Sequence, residues 1–430
     1  MLCVKNGMII DPIEDRIYAG DLWIEGGVIK RIVERGQEGE PVPENARVLD
    51  AEGLMIGPGL IDTHVHFRDP GFTYKEDIIS GGEAAKKGGY TGIVLMANTK
   101  PCVDNPETLK YVLEKGRQTG IRIETCANVT REMKGKEIVN MEELFREGAV
   151  GFTDDGIPLL YEDLVREAMK RAFRLGCPIS FHEENPERIL NNGIHEGKAS
   201  AFYGIGGSKR EAETDLIERD VKLALETGAG IVIQHISTRE GVEIVRRARA
   251  KGAHVHAEAT PHHFTLTQEA VIEKGTLAKM NPPLREEADR LAIIEGIADG
   301  TIDLIATDHA PHSREEKAQE ITKAPSGIIG LETAFSLGVR ELVEKGYLTY
   351  PQLFHRMSTA PASLYGQKGG CLKEGGVADF IVFDSKRQWT VKEFVSKSEN
   401  SPFIGEIMPG VICYTFCKGQ MVYKEKKDGE

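Results

Sequence analysis

Residues 59–71 read GLIDTHVHFRDPG. An apolar run ends in His64 and His66, and Arg68 follows two residues later. Side chains alternate across a strand, so the two imidazoles point to one side, about 6–7 Å apart along the chain. Two imidazoles at a strand end can grip one metal ion, and the planar fork of an arginine just beyond suits an acidic substrate. Alone, the pattern also fits a surface strand with two stray histidines. What decides is whether an apolar run with a polar end recurs along the chain.

It recurs seven times: TGIVLMANT (91–99), IRIETCANV (121–129), AVGFTDDG (149–156), CPISFHEEN (177–185), GIVIQHIST (230–238), AHVHAEATPHH (253–263) and IDLIATDHAPH (302–312). Between these runs lie stretches such as YEDLVREAMKRAFRLG (161–176) and REGVEIVRRARAKG (239–252). Their apolar residues recur at helical spacing, and both end in glycine. Eight strand–helix alternations predict an α/β chain built as a (β/α)8 TIM barrel over residues 56–369. The flanks, 1–55 and 370–430, are rich in short strands and turns, each too short to stand alone. They are expected to pair into one small composite β-sandwich. Loop-like surplus falls at 183–210 and 310–330, and KEKKDGE (424–430) reads as a frayed tail.

Bulk properties narrow the function. A formal charge of −13 over 430 residues leaves no basic surface for nucleic acid or anionic membrane, so an anionic small molecule must be met by a few local cations. No apolar run approaches the roughly 20 residues of a membrane span, and the N-terminal MLCVKNGMIID has no signal-peptide pattern. Seven scattered cysteines without a CxxC fit reduced thiols, hence a cytoplasmic protein. Cys413 and Cys417 lie in the β-rich tail with no histidine nearby and are not read as ligands.

In a barrel the functional groups sit at the C-terminal strand ends. Here those ends carry His64 and His66, Asp154 and Asp155, His182, His235 and Asp308. Four histidines and acidic groups on five strands around one axis define a metal site. His64, His66 and Asp308 are assigned to one ion and His182 and His235 to another, with a strand-four aspartate bridging. Pattern alone does not choose between Asp154 and Asp155. Nitrogen and oxygen donors with open positions fit zinc, with manganese or cobalt as alternatives. Two ions about 3.5–4 Å apart lower the pKa of a shared water. The second HxH, His254 and His256, opens its strand and is expected to be structural. His262 and His263 are left unassigned, and His195, His309 and His355 are read as ordinary buried or surface residues.

Further motifs follow in order: MANTKP, FTDDG, HEGKAS, EATPHHFTLT, KMNPPLR, ATDHAPH and KAPSGIIGLETA. With LIDTHVHFRDPG they cover essentially the whole chain, which resembles the dihydroorotases of the amidohydrolase superfamily, most narrowly the bacterial class I form. The resemblance implies reversible hydrolysis of (S)-dihydroorotate to N-carbamoyl-L-aspartate in de novo pyrimidine (UMP) biosynthesis. It implies His64, His66, Asp155, His182, His235 and Asp308 as ligands of two zinc ions, with Asp308 also the general acid/base. It further implies Arg68, Asn98 and His312 around the substrate carboxylate, Asn281 against the ring, and Ser326 and Gly327 on a substrate-touching loop. A homo-oligomer, with an aspartate transcarbamoylase as possible partner, belongs to the same expectation.

Three positions depart from related patterns. Strand four has no lysine to carbamylate, as hydantoinases have, so an aspartate must serve there. Ser326 stands where many members have phenylalanine, and Ala97 where proline is common. Rival readings are a hydantoinase or allantoinase, a single-metal deaminase, and a silent homologue scaffolding a transcarbamoylase; the intact ligand set speaks against the last.

Overall fold

The computed structural model describes residues 1–36 and 46–426. The last four residues of the expected frayed tail lie outside that range.

Two parallel sheets form the centre. One runs Leu60–Val65, Tyr90–Leu95, Arg122–Thr125; the other runs Ile179–Phe181, Ile231–Ile233, Val255–Ala259, Leu304–Ile305. Parallel bridges link them at both edges: Phe152 joins Ala127 on one side and Ile179 on the other, and Val65 joins His309. Five of these strands, Leu60–Val65, Tyr90–Leu95, Ile179–Phe181, Ile231–Ile233 and Leu304–Ile305, are buried along their whole length, as parallel strands covered on both faces must be.

The fourth expected strand is short: residues 150–153 bond to both neighbours, with the Val150 and Thr153 N–H groups donating to the Thr125 and Ala127 carbonyls and Phe152 exchanging bonds with Pro178 and Ser180. Its ladder stops at the next residue. The Asp154 carboxylate accepts the backbone N–H groups of Val129 (2.8 Å) and Thr130 (3.1 Å), so a side chain replaces the ladder there.

Helices lie between the strands as their periodicity demands. In Glu162–Leu175 the buried positions are Val165, Ala168, Met169 and Ala172, one stripe of a 3.6-residue period, and Gly176 ends the helix in the left-handed region (φ 66°). Arg239–Ala250 starts at Thr238, whose hydroxyl accepts the Gly241 N–H, and buries Val242, Ile244, Val245 and Ala248. The two loop-like segments carry only short helices, Lys198–Tyr203 and Arg314–Lys317.

Both chain ends meet in one eight-stranded sheet. Met55–Pro58 is the join: it runs parallel to Leu2–Asp11 and antiparallel to Phe380–Thr390. The sheet surrounds a core of its own that includes Val4, Ile9, Leu22, Ile24, Ile56, Phe380, Val382 and Phe416. The hydrogen bonding is continuous rather than divided between two sheets, so a sandwich here means this sheet folded over that core. Among the described residues, no helix is long and apolar enough to cross a membrane.

Candidate metal centre

The strand ends bring the six expected ligands together. His64 and His66 have ring centroids 5.3 Å apart, His64 and His235 5.1 Å, His182 and His235 4.7 Å. Asp155 lies among them. Its Oδ1 is 3.4 Å from His64 Nε2, 3.7 Å from His182 Nδ1 and 3.8 Å from His235 Nε2, and its Oδ2 is 3.4 Å from His66 Nε2. Asp308 Oδ1 stands 3.0 Å from His66 Nε2 and 3.6 Å from His64 Nε2. Two three-donor groups result, His64–His66–Asp155 and Asp155–His182–His235, with Asp155 common to both. Asp154 faces away and is consumed by the turn at Val129 and Thr130. Of the two neighbours, Asp155 is the one that faces the imidazoles.

The outer partners fix which ring atom faces inward. Glu258 is 3.1 Å from His64 Nδ1 and also accepts the Thr63 hydroxyl, so His64 presents an unprotonated Nε2 to the centre. That buried Nε2 has no hydrogen-bond partner. Asn98 donates its amide N–H to Asp155 Oδ2 (3.1 Å), which leaves its Oδ1 to accept from His66 Nδ1 (3.0 Å). His66 Nε2 is thereby a lone pair facing two carboxylates. Glu184 Oε2, 2.9 Å from His182 Nε2, turns the Nδ1 lone pair of that ring inward in the same way. Lone pairs and carboxylates converging in a buried space repel unless a cation lies between them. For bonds of about 2.1 Å in tetrahedral geometry, neighbouring donors stand about 3.4 Å apart; most separations here are 3.4–3.8 Å. The donor set fits a metal ion in each group.

Three centre residues sit in the left-handed backbone region: Arg68 (φ 58°), His235 (φ 33°) and Asp308 (φ 47°). Such conformations cost of order 1–3 kcal/mol each for non-glycine residues and persist where surrounding structure dictates them.

On one side of the centre, Arg68 Nε donates to the Pro311 carbonyl (3.3 Å), which aligns its guanidinium beside His312. Its neighbour Asp69 pairs with Lys115 and Tyr111 instead, so a rim pair between Arg68 and Asp69 does not form. His312 Nε2 donates to the Ser326 carbonyl (2.8 Å) and Nδ1 accepts from Lys75 (3.2 Å). Burial, then Arg68 and Lys75, press its pKa down to about 2, so the ring is neutral. Ser326 engages His312 through its backbone while its hydroxyl turns to Asn192 (3.2 Å), so no aromatic ring is needed for that contact. Ala97 is buried and accepts the Val103 N–H, and Asn98 holds its place without a proline before it. Asn281 donates to Glu184 (3.0 Å) beside His182. Gly327 has φ 119°, and a Cβ there would lie 2.7 Å from that of Ala310.

The residues set aside also find places. His256 pairs with Asp303 (2.6 Å) at the opposite strand end, His263 is tied to Thr260 and to the Pro282 carbonyl, and His195 meets Arg285. Glu258 and Glu184 were missed. Glu258 carried a period-two signal, lying two residues past His256 on the strand Val255–Ala259, whereas Glu184 follows His182 beyond the end of its strand. Lys75 offered no signal.

Closely spaced donors at the ends of parallel strands, beside a terminal sheet, define a metal hydrolase, and solved structures share the architecture. An L-hydantoinase (dihydropyrimidinase) from Arthrobacter aurescens superposes with a TM-score of 0.88 at 24% identity, covering 99% of this chain and 96% of that one. A dihydropyrimidinase from Brevibacillus agri NCHU1002 gives 0.84 at 23%, covering 98% and 95%. A dihydro-orotase-like family model matches residues 53–241. The dihydroorotase of Clostridioides difficile (strain 630) is 51% identical over 98% of this chain and 100% of its own length. That of Clostridium acetobutylicum is 46% identical over 99% and 100%. The chain belongs to the dihydroorotase family of metal-dependent cyclic amidohydrolases.

Proposed function

We propose that the protein is a dihydroorotase that opens (S)-dihydroorotate to N-carbamoyl-L-aspartate and closes it again in pyrimidine biosynthesis. The observation that carries this is the adjacency of a two-group donor cluster to Arg68, the local cation an acidic ring would need, with the neutral His312 beside it. Hydantoinase-type folds are shared with enzymes of other cyclic amides, but the strand-four donor here is an aspartate rather than a lysine.

We assign one zinc ion to His64, His66, Asp155 and Asp308 and a second to Asp155, His182 and His235. Bound there, the ions would supply Lewis acidity, lowering the pKa of a water and polarising the ring amide. Asp308 then takes the water's proton and returns it to the departing ring nitrogen, with the roles reversed on closure. Its position beside both His64 and His66 supports this. Arg68 offers two parallel N–H groups to the substrate carboxylate, with His312, Ser326 and Gly327 beside it. Asn98 acts by holding Asp155 and His66, and Asn281 by holding Glu184.

The two parallel sheets, bridged at both edges, are read as one closed (β/α)8 barrel over residues 56–369. The terminal sheet, folded over its own core, is read as the β-sandwich of 1–55 and 370–430. All seven cysteines are free, which agrees with a reducing cytoplasm. A homo-oligomer and a transcarbamoylase partner remain part of the proposal.

The test is turnover by the zinc-loaded protein of dihydroorotate against hydantoin, dihydrouracil and allantoin. Dihydroorotate should be preferred by orders of magnitude in kcat/KM; faster use of an uncharged ring rejects the assignment.

A further inference from the structure

Lys279 and Lys317 are each only 4% exposed. Buried ammonium groups normally have an acid beside them, because an isolated charge is expensive to bury. These two do not. All four hydrogen bonds of their ammonium groups go to backbone carbonyls of one short loop: Lys279 Nζ to Ile321 (2.8 Å) and Ala324 (2.7 Å), Lys317 Nζ to Pro325 (2.9 Å) and Gly327 (3.0 Å). Among the described residues no carboxylate pairs with either charge, and burial lowers the pKa of both. A third buried side chain joins from the C-terminal part of the chain. Asn400 donates to the carbonyls of Gly327 (3.1 Å) and Ala310 (3.0 Å) and accepts the N–H of His312 (3.1 Å). The Lys279 backbone closes the set by accepting the Gly327 N–H (2.9 Å).

The loop from 321 to 327 has no ladder of its own, so its carbonyls need partners. Water or neutral side chains would serve that need at less cost than two ammonium groups. What the lysines add is rigid placement. The loop they grip presents the Ser326 carbonyl to His312 Nε2, and Asn400 fixes His312 from its backbone side. Lys279 also lies two residues before Asn281. Three segments of the wall beside Arg68 are thus tied to one buried cluster.

We propose that Lys279, Lys317 and Asn400 are positioning residues that set the substrate-carboxylate pocket by gripping the Ile321–Gly327 loop through its carbonyls. This rests on the functional reading above, in which His312, Ser326 and Gly327 face the substrate. None of the three touches the reacting atoms, so their removal should weaken binding and spare the chemistry.

The test uses the full-length, zinc-loaded protein with Lys279→Met, Lys317→Met and Asn400→Asp. Methionine keeps length without donors. Aspartate keeps the shape of asparagine but turns an acceptor toward the Gly327 and Ala310 carbonyls. The expected result is a KM for dihydroorotate raised at least tenfold, kcat within threefold, metal content unchanged, and faster amide hydrogen exchange confined to residues 310–330. An unchanged KM, or unchanged exchange in that loop, overturns the proposal. So does a parallel loss of kcat and metal, which would mark a general scaffold role. If a lysine variant does not fold, Asn400→Asp decides by the same criteria. A wild-type protein that ignores dihydroorotate overturns the functional reading and the pocket role with it; the grip is then judged by exchange alone.

Discussion

Asp155 and Asp154 are adjacent in sequence and both buried, yet the structure gives them opposite duties. Replacing each by asparagine separates those duties. Asp155 is the one donor shared by both three-residue groups, with an oxygen 3.4–3.8 Å from each of four imidazoles. Outer partners of metal ligands are worth roughly 10–100-fold in metal affinity. A donor common to two ions should cost more than that at each, above about 2.7 kcal/mol per ion. Asp155→Asn should therefore lose at least one metal equivalent per chain on dialysis against a weak chelator. Asp154 instead accepts two backbone N–H groups and the Thr130 hydroxyl. An amide in its place keeps one acceptor and sets an NH2 against a donor, at about 1–3 kcal/mol for the group left unsatisfied. Asp154→Asn should keep both metals and melt at lower temperature. Metal analysis by mass spectrometry and thermal melts of the zinc-loaded proteins read the two effects independently. An aspartate bridge also needs no carbon dioxide, so reloading the metal-free protein should be indifferent to bicarbonate. Metal loss in Asp154→Asn with retention in Asp155→Asn, or bicarbonate dependence, would refute the assignment of the bridge.

Arg68→Lys keeps the charge but loses the fork, so KM for dihydroorotate should rise with both metals retained; equal loss of metal would make Arg68 structural. Asp308→Asn should lower kcat by about a hundred- to ten-thousand-fold in metal-replete protein, the usual range for a general acid/base, and wild-type turnover would move proton transfer elsewhere. Glu258→Gln should weaken one metal equivalent roughly 10–100-fold in chelator competition and leave the other unchanged, because Glu258 contacts His64. His195 is held neutral by burial and then by Arg285, with its pKa down to about 4 from 6.5. The unfolded chain therefore takes up that proton first, so the stability held by the neutral ring is intact above about pH 6.5 and lost as pH falls toward 4. The melting temperature should drop over that window, less steeply in His195→Gln; an unchanged slope would remove His195 from the acid response.

How far the sequence could be read depends on whether a residue's role is local. The apolar runs and the glycine-ended helices are local patterns, and the strands and helices formed where those patterns lie. His64 and His66 were visible because a strand end sends both rings one way. The fourth run, AVGFTDDG, pairs on both sides as its pattern predicts, but how short it is was not legible: the Asp154 carboxylate captures the N–H groups of Val129 and Thr130, 25 and 24 residues earlier. No window around residue 154 contains that competitor. Glu258 shows the intermediate case: its alternation with His256 was legible, but its partner His64 lies 194 residues away. Asn400 is the extreme. It sits in an irregular segment near the C-terminus, 88 residues beyond His312, and nothing nearby distinguishes it from a turn asparagine. The donors of the centre were therefore legible as chemistry at strand ends, while the groups that aim them became visible only once distant segments met. That division has a physical basis. A ligand must stand at the end of a strand whose burial shows in its own sequence, whereas an aiming group needs only to reach, and any segment the fold brings close can supply it.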